Sequence, residues 1–362
     1  MRLLKLTIDG LPLFRGKIEL DFVAKQKVRE DDAENMYNIF NNVYQNNVVA
    51  ITGMNASGKT SVLKALTFAM GMLKGQWSVN DLPGCEIFDE LSPDKEVVFE
   101  SYIYEAGSLI CQKDIIKRDK KGCYVAKEIL NYKTVTRSTK KKEMYSLGNM
   151  PVEMLLRDRR YETIVNTYPV RFISTLEERP LANGHTPKEW LALFDPRIEY
   201  LHIEGDAKVK FYGKEEIVMP RADDLDHYLS AGTMRGIKLL RYLEYSMQIG
   251  GYLIVDDLEN HFNKEIVASI LRFYMDRHVN KNGATLIFST HRSELLDEFD
   301  RRDNIYIARN ENGITLQNMA DAPKLKGVRK SELYDSDFLE GTAPLHDSYM
   351  AEKKRLQKFK ER

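Results

Sequence analysis

Cysteine is scarce: Cys85, Cys111 and Cys123 are too few and too scattered in 362 residues for a disulfide framework or a four-thiolate zinc site. A reducing compartment is expected. Net charge is missing too, since 54 lysines and arginines cancel against 54 aspartates and glutamates. No global field draws the chain to nucleic acid or an anionic membrane, so any such surface must be local. Apolar runs stop well short of the ~18 residues of a membrane helix. Lys5 and Asp9 interrupt the stretch where a secretion signal would be apolar, so a soluble, cytoplasmic protein is expected. Internal repeats and low-complexity segments are absent as well.

What is present is enough apolar sequence, at this length, for one large α/β unit with an inserted subdomain. Leu3–Ile8 and Lys17–Val23 alternate around a Gly10-Leu-Pro turn and predict an antiparallel hairpin. Residues 28–46 are polar and read as an excursion before the apolar strand Asn47–Thr52. A glycine loop follows, then a helical pattern through Val62, Leu63, Leu66, Ala69 and Met70. Val97–Tyr104, Leu109–Lys117 and Cys123–Tyr132 predict a meander. Further on come a helix around Leu239, Leu240 and Leu243, a strand Tyr252–Val255, a helix Lys264–His278 and a strand Ala284–Phe288.

Gly53-Met-Asn-Ala-Ser-Gly58-Lys59-Thr60 matches the phosphate-loop pattern, with the apolar strand before it and the helix after it that the chemistry requires. Its glycines let successive N–H groups and the helix N-terminus face a β-phosphate. Lys59 is expected to neutralise β and γ oxygens, and Thr60 to ligate Mg²⁺. Gly53, Asn55, Ser57, Gly58, Lys59, Thr60 and Ser61 form the expected cradle for ATP, Ser61 through support of the first helical turn. Asp256 and Asp257 directly follow the strand Tyr252–Val255. Such a pair is either a solvated strand end or helix cap, or, in a phosphate-loop protein, the acid beside magnesium and its neighbour. On the second reading Asp256 joins the metal's shell and Asp257 orients the attacking water as base.

Leu229-Ser230-Ala231-Gly232-Thr233 precedes that strand, and Ser289-Thr290-His291 closes a later one. In this order the motifs resemble the ABC ATPase superfamily, in particular the heads of SMC and RecF proteins and the compact OLD- and RloA-like ATPases. The likeness covers roughly 1–75 and 225–295. It implies a P-loop NTPase of ABC/SMC-head type, a β-rich lobe plus a parallel sheet with flanking helices and an inserted subdomain. It also implies an ATP-sandwich homodimer, in which Ser230 and Gly232 serve the partner's ATP and His291 senses the γ-phosphate. A hydroxyl, an open N–H and a helix dipole suit that task, although the same residues also read as an N-cap, and His291 as a cap for the next helix. Glu259-Asn260-His261 falls where the family carries its D-loop, with Glu259 in a supporting role. Phe14-Arg15 resembles a place where SMC-type heads approach the base.

Two departures stand out: the usual Asp-Glu pair is Asp256-Asp257, and neither Gln76 nor Gln112 has the neighbourhood of a Q-loop ligand. Both glutamines read as solvated. The expected division is an N-terminal ATPase lobe at 1–135 and an insert of unknown role at 136–215, then a C-terminal lobe at 216–320 and a charged tail at 321–362. Its compactness, without sustained heptads, together with Asp337-Phe-Leu-Glu-Gly341, is similar to RloA-type ATPases. That resemblance implies control of an effector, a nuclease or toxin encoded nearby, in anti-phage defence. The alternative is a RecF-like DNA clamp using Lys140–Lys142 and Arg157–Arg160, unless these runs are plain solvated faces.

Overall fold

Apolar strands buried on both faces need cover on both sides, and the chain supplies it. The computed structural model describes all residues except 75–77, 147–151, 155–170, 177–182, 261, 324–326, 343–349, 351–352 and 358–362. The first half runs β1 (Arg2–Asp9), β2 (Ile18–Asp21), α1 (Glu30–Ala33), β3 (Met36–Phe40), β4 (Val43–Asn46), β5 (Val48–Thr52), α2 (Lys59–Lys74), β6 (Glu96–Glu105), β7 (Ser108–Asp119), β8 (Gly122–Thr134) and β9 (Val152–Met154). There follow β10 (Phe172–Ser174), β11 (Gly184–Thr186), α3 (Lys188–Phe194), β12 (Ile198–Glu204), β13 (Asp206–Phe211), β14 (Ile217–Met219) and α4 (Ala231–Ile249). The last elements are β15 (Tyr252–Val255), α5 (Lys264–Met275), β16 (Thr285–Thr290), β17 (Ile305–Asn310), β18 (Ile314–Asn318) and α6 (Lys330–Asp335).

The architecture is mixed α/β with several sheets, one of them mostly parallel. That central sheet has the order β10-β15-β16-β5-β17-β18, parallel throughout except for the β17–β18 hairpin. Its residues alternate between two cores. Val49, Ile51, Ile254 and Ile287 face one that holds the buried side of α2. Val48, Ala50, Leu253, Val255, Leu286 and Phe288 face another that holds α4 and α5. Each buried Val, Leu, Ile or Phe contributes about 1.5–3 kcal/mol, so this double cover dominates the stabilisation of the sheet. The antiparallel sheet β2-β1-β6-β7-β8-β9 packs on the α2 side, where Phe68 of α2 meets Phe99 of β6 at 5.4 Å between ring centroids.

The opening hairpin, the meander and the apolar strands form where the sequence pattern puts them. Residues 28–46, expected as an excursion, instead contain α1 and the β3–β4 hairpin. The stretch 136–215 is shared out. Val152–Met154 extends the meander, Phe172–Ser174 pairs with β15 in the parallel sheet, and the rest supplies most of the sheet β11-β12-β13-β14. That small sheet has a core of its own, with Leu201, Val209, Leu225 and Ile237 of α4. The tail is packed as far as Thr342, with Leu333, Tyr334 and Leu339 buried against the α4–α5 side. Among the described residues no disulfide joins Cys85, Cys111 or Cys123. No helix among the described residues is long and apolar enough to cross a membrane.

Candidate functional site

In an open parallel sheet the strand ends that point the same way share one edge, and ligands bind beyond their carboxyl ends. Here β15, β16 and β5 are consecutive neighbours, so the segments leaving Val255, Thr290 and Thr52 meet at a single edge. This brings together the glycine loop, the acid pair and His291.

The glycine loop closes tightly. A Cβ at Gly53 would stand 2.5 Å from the Ala308 carbonyl of β17, and Gly58 has φ +94° with Ile314 of β18 against it. Ala56 also has positive φ, 63°, a conformation an alanine adopts only when its surroundings hold it there. Asn310 helps to do so, donating from Nδ2 to the Ala56 carbonyl at 3.3 Å. Lys59, the first residue of α2, folds its ammonium back onto the Gly53 and Met54 carbonyls at 2.9 Å each. Burial lowers its pKa, opposed by the carboxylates of Asp257, Glu259 and Asp256. The buried Ser57 hydroxyl has no partner among the described residues. A ring of backbone with a charged amine at its centre and an unused hydroxyl beside it fits a phosphate group.

Asp256 is not a solvated strand end. Its Oδ2 accepts from Thr60 Oγ1 at 2.8 Å and its Oδ1 from Ser289 Oγ at 2.6 Å. A hydroxyl and a carboxylate already in contact, both hard oxygen ligands, match the donor set Mg²⁺ takes next to a nucleotide. Asp257 follows with φ 47°, an outlier for a non-glycine residue. Its N–H donates to Ser289 Oγ at 2.7 Å, and Arg235 of α4 donates to the carbonyls of both Asp256 and Asp257 at 3.0 Å.

A cavity of ≈ 620 Å³ opens over the loop, lined by Asn55, Ser57, Gly58, Lys59, Thr60 and Ser61 with Asp257 across from them. Its far wall is built by Pro12 and Leu13 of the first hairpin and by the β17–β18 turn. Phe14 itself is buried, so its neighbours rather than its ring face this space. Asp257 also borders a second cavity of ≈ 400 Å³ that carries Arg235 and Lys238.

His291 does not cap the next helical turn. Its backbone N–H and its ring Nδ1 both lie 2.8 Å from Oε1 of Glu259, while the ring is half exposed. One ligand atom each from Asp257, Glu259 and His291 lie within 4.8 Å of one another. Ser230 does act as an N-cap: its Oγ accepts from the Thr233 N–H at 3.1 Å. Ser230, Gly232, Asp256 and His291 are not among the residues lining the cavity over the glycine loop.

Gln112, read as solvated, is buried on β7 and donates to Asp114 Oδ2 at 3.0 Å. Gln76, His261 and Arg157–Arg160 lie outside the described residues. Lys141 is tied down by the Ala24 carbonyl, and burial lowers its pKa. Sequence reasoning gave no role to Ser289, Arg235 or Asn310. Ser289 had a usable signal, since a polar residue just before the end of a strand neighbouring the acid pair must face it or the core. Arg235 had none, since its reach from α4 to the acid pair depends on how the helix packs beside β15. No protein-family model matches the chain, and a search of curated proteins returns no match.

Proposed function

We propose that this chain is a cytoplasmic ABC-type P-loop ATPase of the SMC-head class, compact and OLD/RloA-like, that binds and hydrolyses Mg-ATP between two copies of itself. The observation that carries this reading is the Thr60–Asp256 contact of 2.8 Å, made across the sheet edge between the glycine loop and the acid pair. Gly53, Asn55, Ser57, Gly58, Lys59 and Ser61 would hold the phosphates, and Thr60 with Asp256 the magnesium. Bound Mg²⁺ neutralises charge that develops on the phosphoryl oxygens. Asp257 then orients water and takes its proton, and His291 contacts the γ-phosphate. Ser230 and Gly232 serve the partner's nucleotide, as the likeness to the ABC superfamily implies. Lys59→Ala should abolish ATP binding in a filter or calorimetric assay, and unchanged binding would defeat the assignment.

The nucleotide state is read out by a partner effector, a nuclease or toxin, in anti-phage defence. Expression with the native flanking genes and mass spectrometry of what copurifies in Mg-ATP tests this part separately. A stoichiometric nuclease or toxin supports it, and the chain alone or with DNA opposes it. The alternative, a DNA clamp, would use the exposed Lys140 and Lys142 and predicts salt-dependent DNA binding with ATP turnover stimulated by duplex DNA.

A further inference from the structure

Glu259 is the residue of the site that burial explains least. It is 1% exposed, and its Oε2 has no hydrogen-bond partner among the described residues. A carboxylate taken out of water with one oxygen unused is costly, and a neutral side chain of similar shape would pack there at less expense. What its other oxygen does is specific. Oε1 receives the backbone N–H of His291 at 2.8 Å and stands 2.8 Å from Nδ1 of the same residue. One acceptor oxygen thus fixes both where the histidine's backbone lies and how its ring turns.

The two residues are far apart in sequence, 259 against 291, and meet because β15 and β16 pair in parallel with Val255 opposite Phe288. β15 ends at that pair while β16 continues to Thr290, and beyond it the Leu258 N–H donates to the Ser289 carbonyl at 3.2 Å, which seats the Glu259 segment against the one that ends in His291. When Nδ1 donates to a carboxylate, the proton is held on that nitrogen, and Nε2 is the atom left to face outward. The His291 side chain as a whole is half exposed.

We infer that Glu259 is a positioning residue for ATP turnover: it locks His291 in the Nδ1–H form and presents Nε2 to the γ-phosphate. The inference rests on the ATPase reading above for its consequence in turnover, but the Glu259–His291 lock itself stands without nucleotide. A mispositioned histidine would still let phosphates enter the Lys59 loop, so binding is spared and the chemical step is not.

The test uses the full chain with Glu259→Gln, Glu259→Ala, His291→Ala and the Glu259→Ala/His291→Ala pair. Glutamine retains an oxygen acceptor for both N–H groups; alanine retains none. The expected result is kcat within about threefold of the parent for Gln and about tenfold or more below it for Ala, with KM for ATP unchanged. In the double variant, Glu259→Ala should add nothing to the loss caused by His291→Ala. Nitrogen-15 spectra of histidine-labelled protein without nucleotide, with the His291 signal assigned from its alanine variant, should show Nδ1 protonated in the parent and lose that signature in Glu259→Ala. Equal kcat in parent and Glu259→Ala, or an undiminished further loss in the His291→Ala background, overturns the inference. If no variant or parent hydrolyses ATP, the ATPase reading fails, while the spectra still decide the lock.

Discussion

At the carboxyl edge of the parallel sheet, Thr60 bonds to Asp256, Asp256 to Ser289 and Glu259 to His291, each contact joining two different elements. At the start of α4, the exposed Ser230 bonds within its own first turn, to the N–H and hydroxyl of Thr233. The first region's motif stands on its residues and flanking elements, whereas the second's reads as a helix cap unless the family resemblance is invoked. The first is a set of groups joined across several elements, and the second is a helix end whose serine bonds only within its own turn and does not line the cavity over the glycine loop. The contrast is between a cluster that strand order assembles and a cap that one helix turn makes on its own; on the proposal above, the second is what a partner copy would use. Arg235 joins the halves, rising from α4 to the carbonyls of Asp256 and Asp257.

The largest break in this comparison is Lys59→Ala, which removes the charge at the centre of the glycine loop and is expected to reduce Mg-ATP binding below detection by calorimetry. Asp257→Asn comes next. It keeps the cavity's shape, so ATP should still bind, while turnover falls by about 10²–10⁴ and an ATP-bound dimer accumulates on size exclusion. Unchanged turnover would remove Asp257 as base. Ser230→Arg acts on the other region, with turnover expected to fall about tenfold by loss of one transition-state contact worth ~1.4 kcal/mol, and nucleotide affinity to change little. Persistence of turnover in that variant would place the signature outside the site. Smallest in its effect on the fold is Ser230→Ala, which removes the capping hydroxyl along with the proposed nucleotide contact. A destabilisation of about 1 kcal/mol in urea unfolding is expected, and a larger loss would mean that Ser230 also holds tertiary structure.

The same contrast explains what the sequence disclosed. Val48–Thr52, Tyr252–Val255 and Thr285–Thr290 are entirely buried, so their apolar runs are unbroken and their ends, with the glycine loop and the acid pair, could be read directly. The β3–β4 hairpin was hidden because Tyr37, Asn38 and Ile39 are only partly buried or exposed, leaving no alternation to see. Phe172–Ser174 was hidden by its length, three residues added at the edge of the parallel sheet beside Tyr252. Glu259 could be placed in a segment but not against His291, since that meeting depends on which strands are neighbours. Strand order is a property of the whole sheet and leaves no mark in either segment. Composition also did not disclose that Lys141 is half buried with its ammonium donating to a backbone carbonyl.

The central claim is that two copies close around Mg-ATP, with the glycine loop of one and the α4 start of the other on each nucleotide. It is tested most directly by the mass and nucleotide content of the Asp257→Asn chain after incubation with Mg-ATP, measured by light scattering on a sizing column. The account predicts a dimer carrying one ATP per chain that reverts to monomer when Ser230→Arg is added. A species that holds no nucleotide, or a dimer indifferent to both ATP and Ser230→Arg, would contradict it.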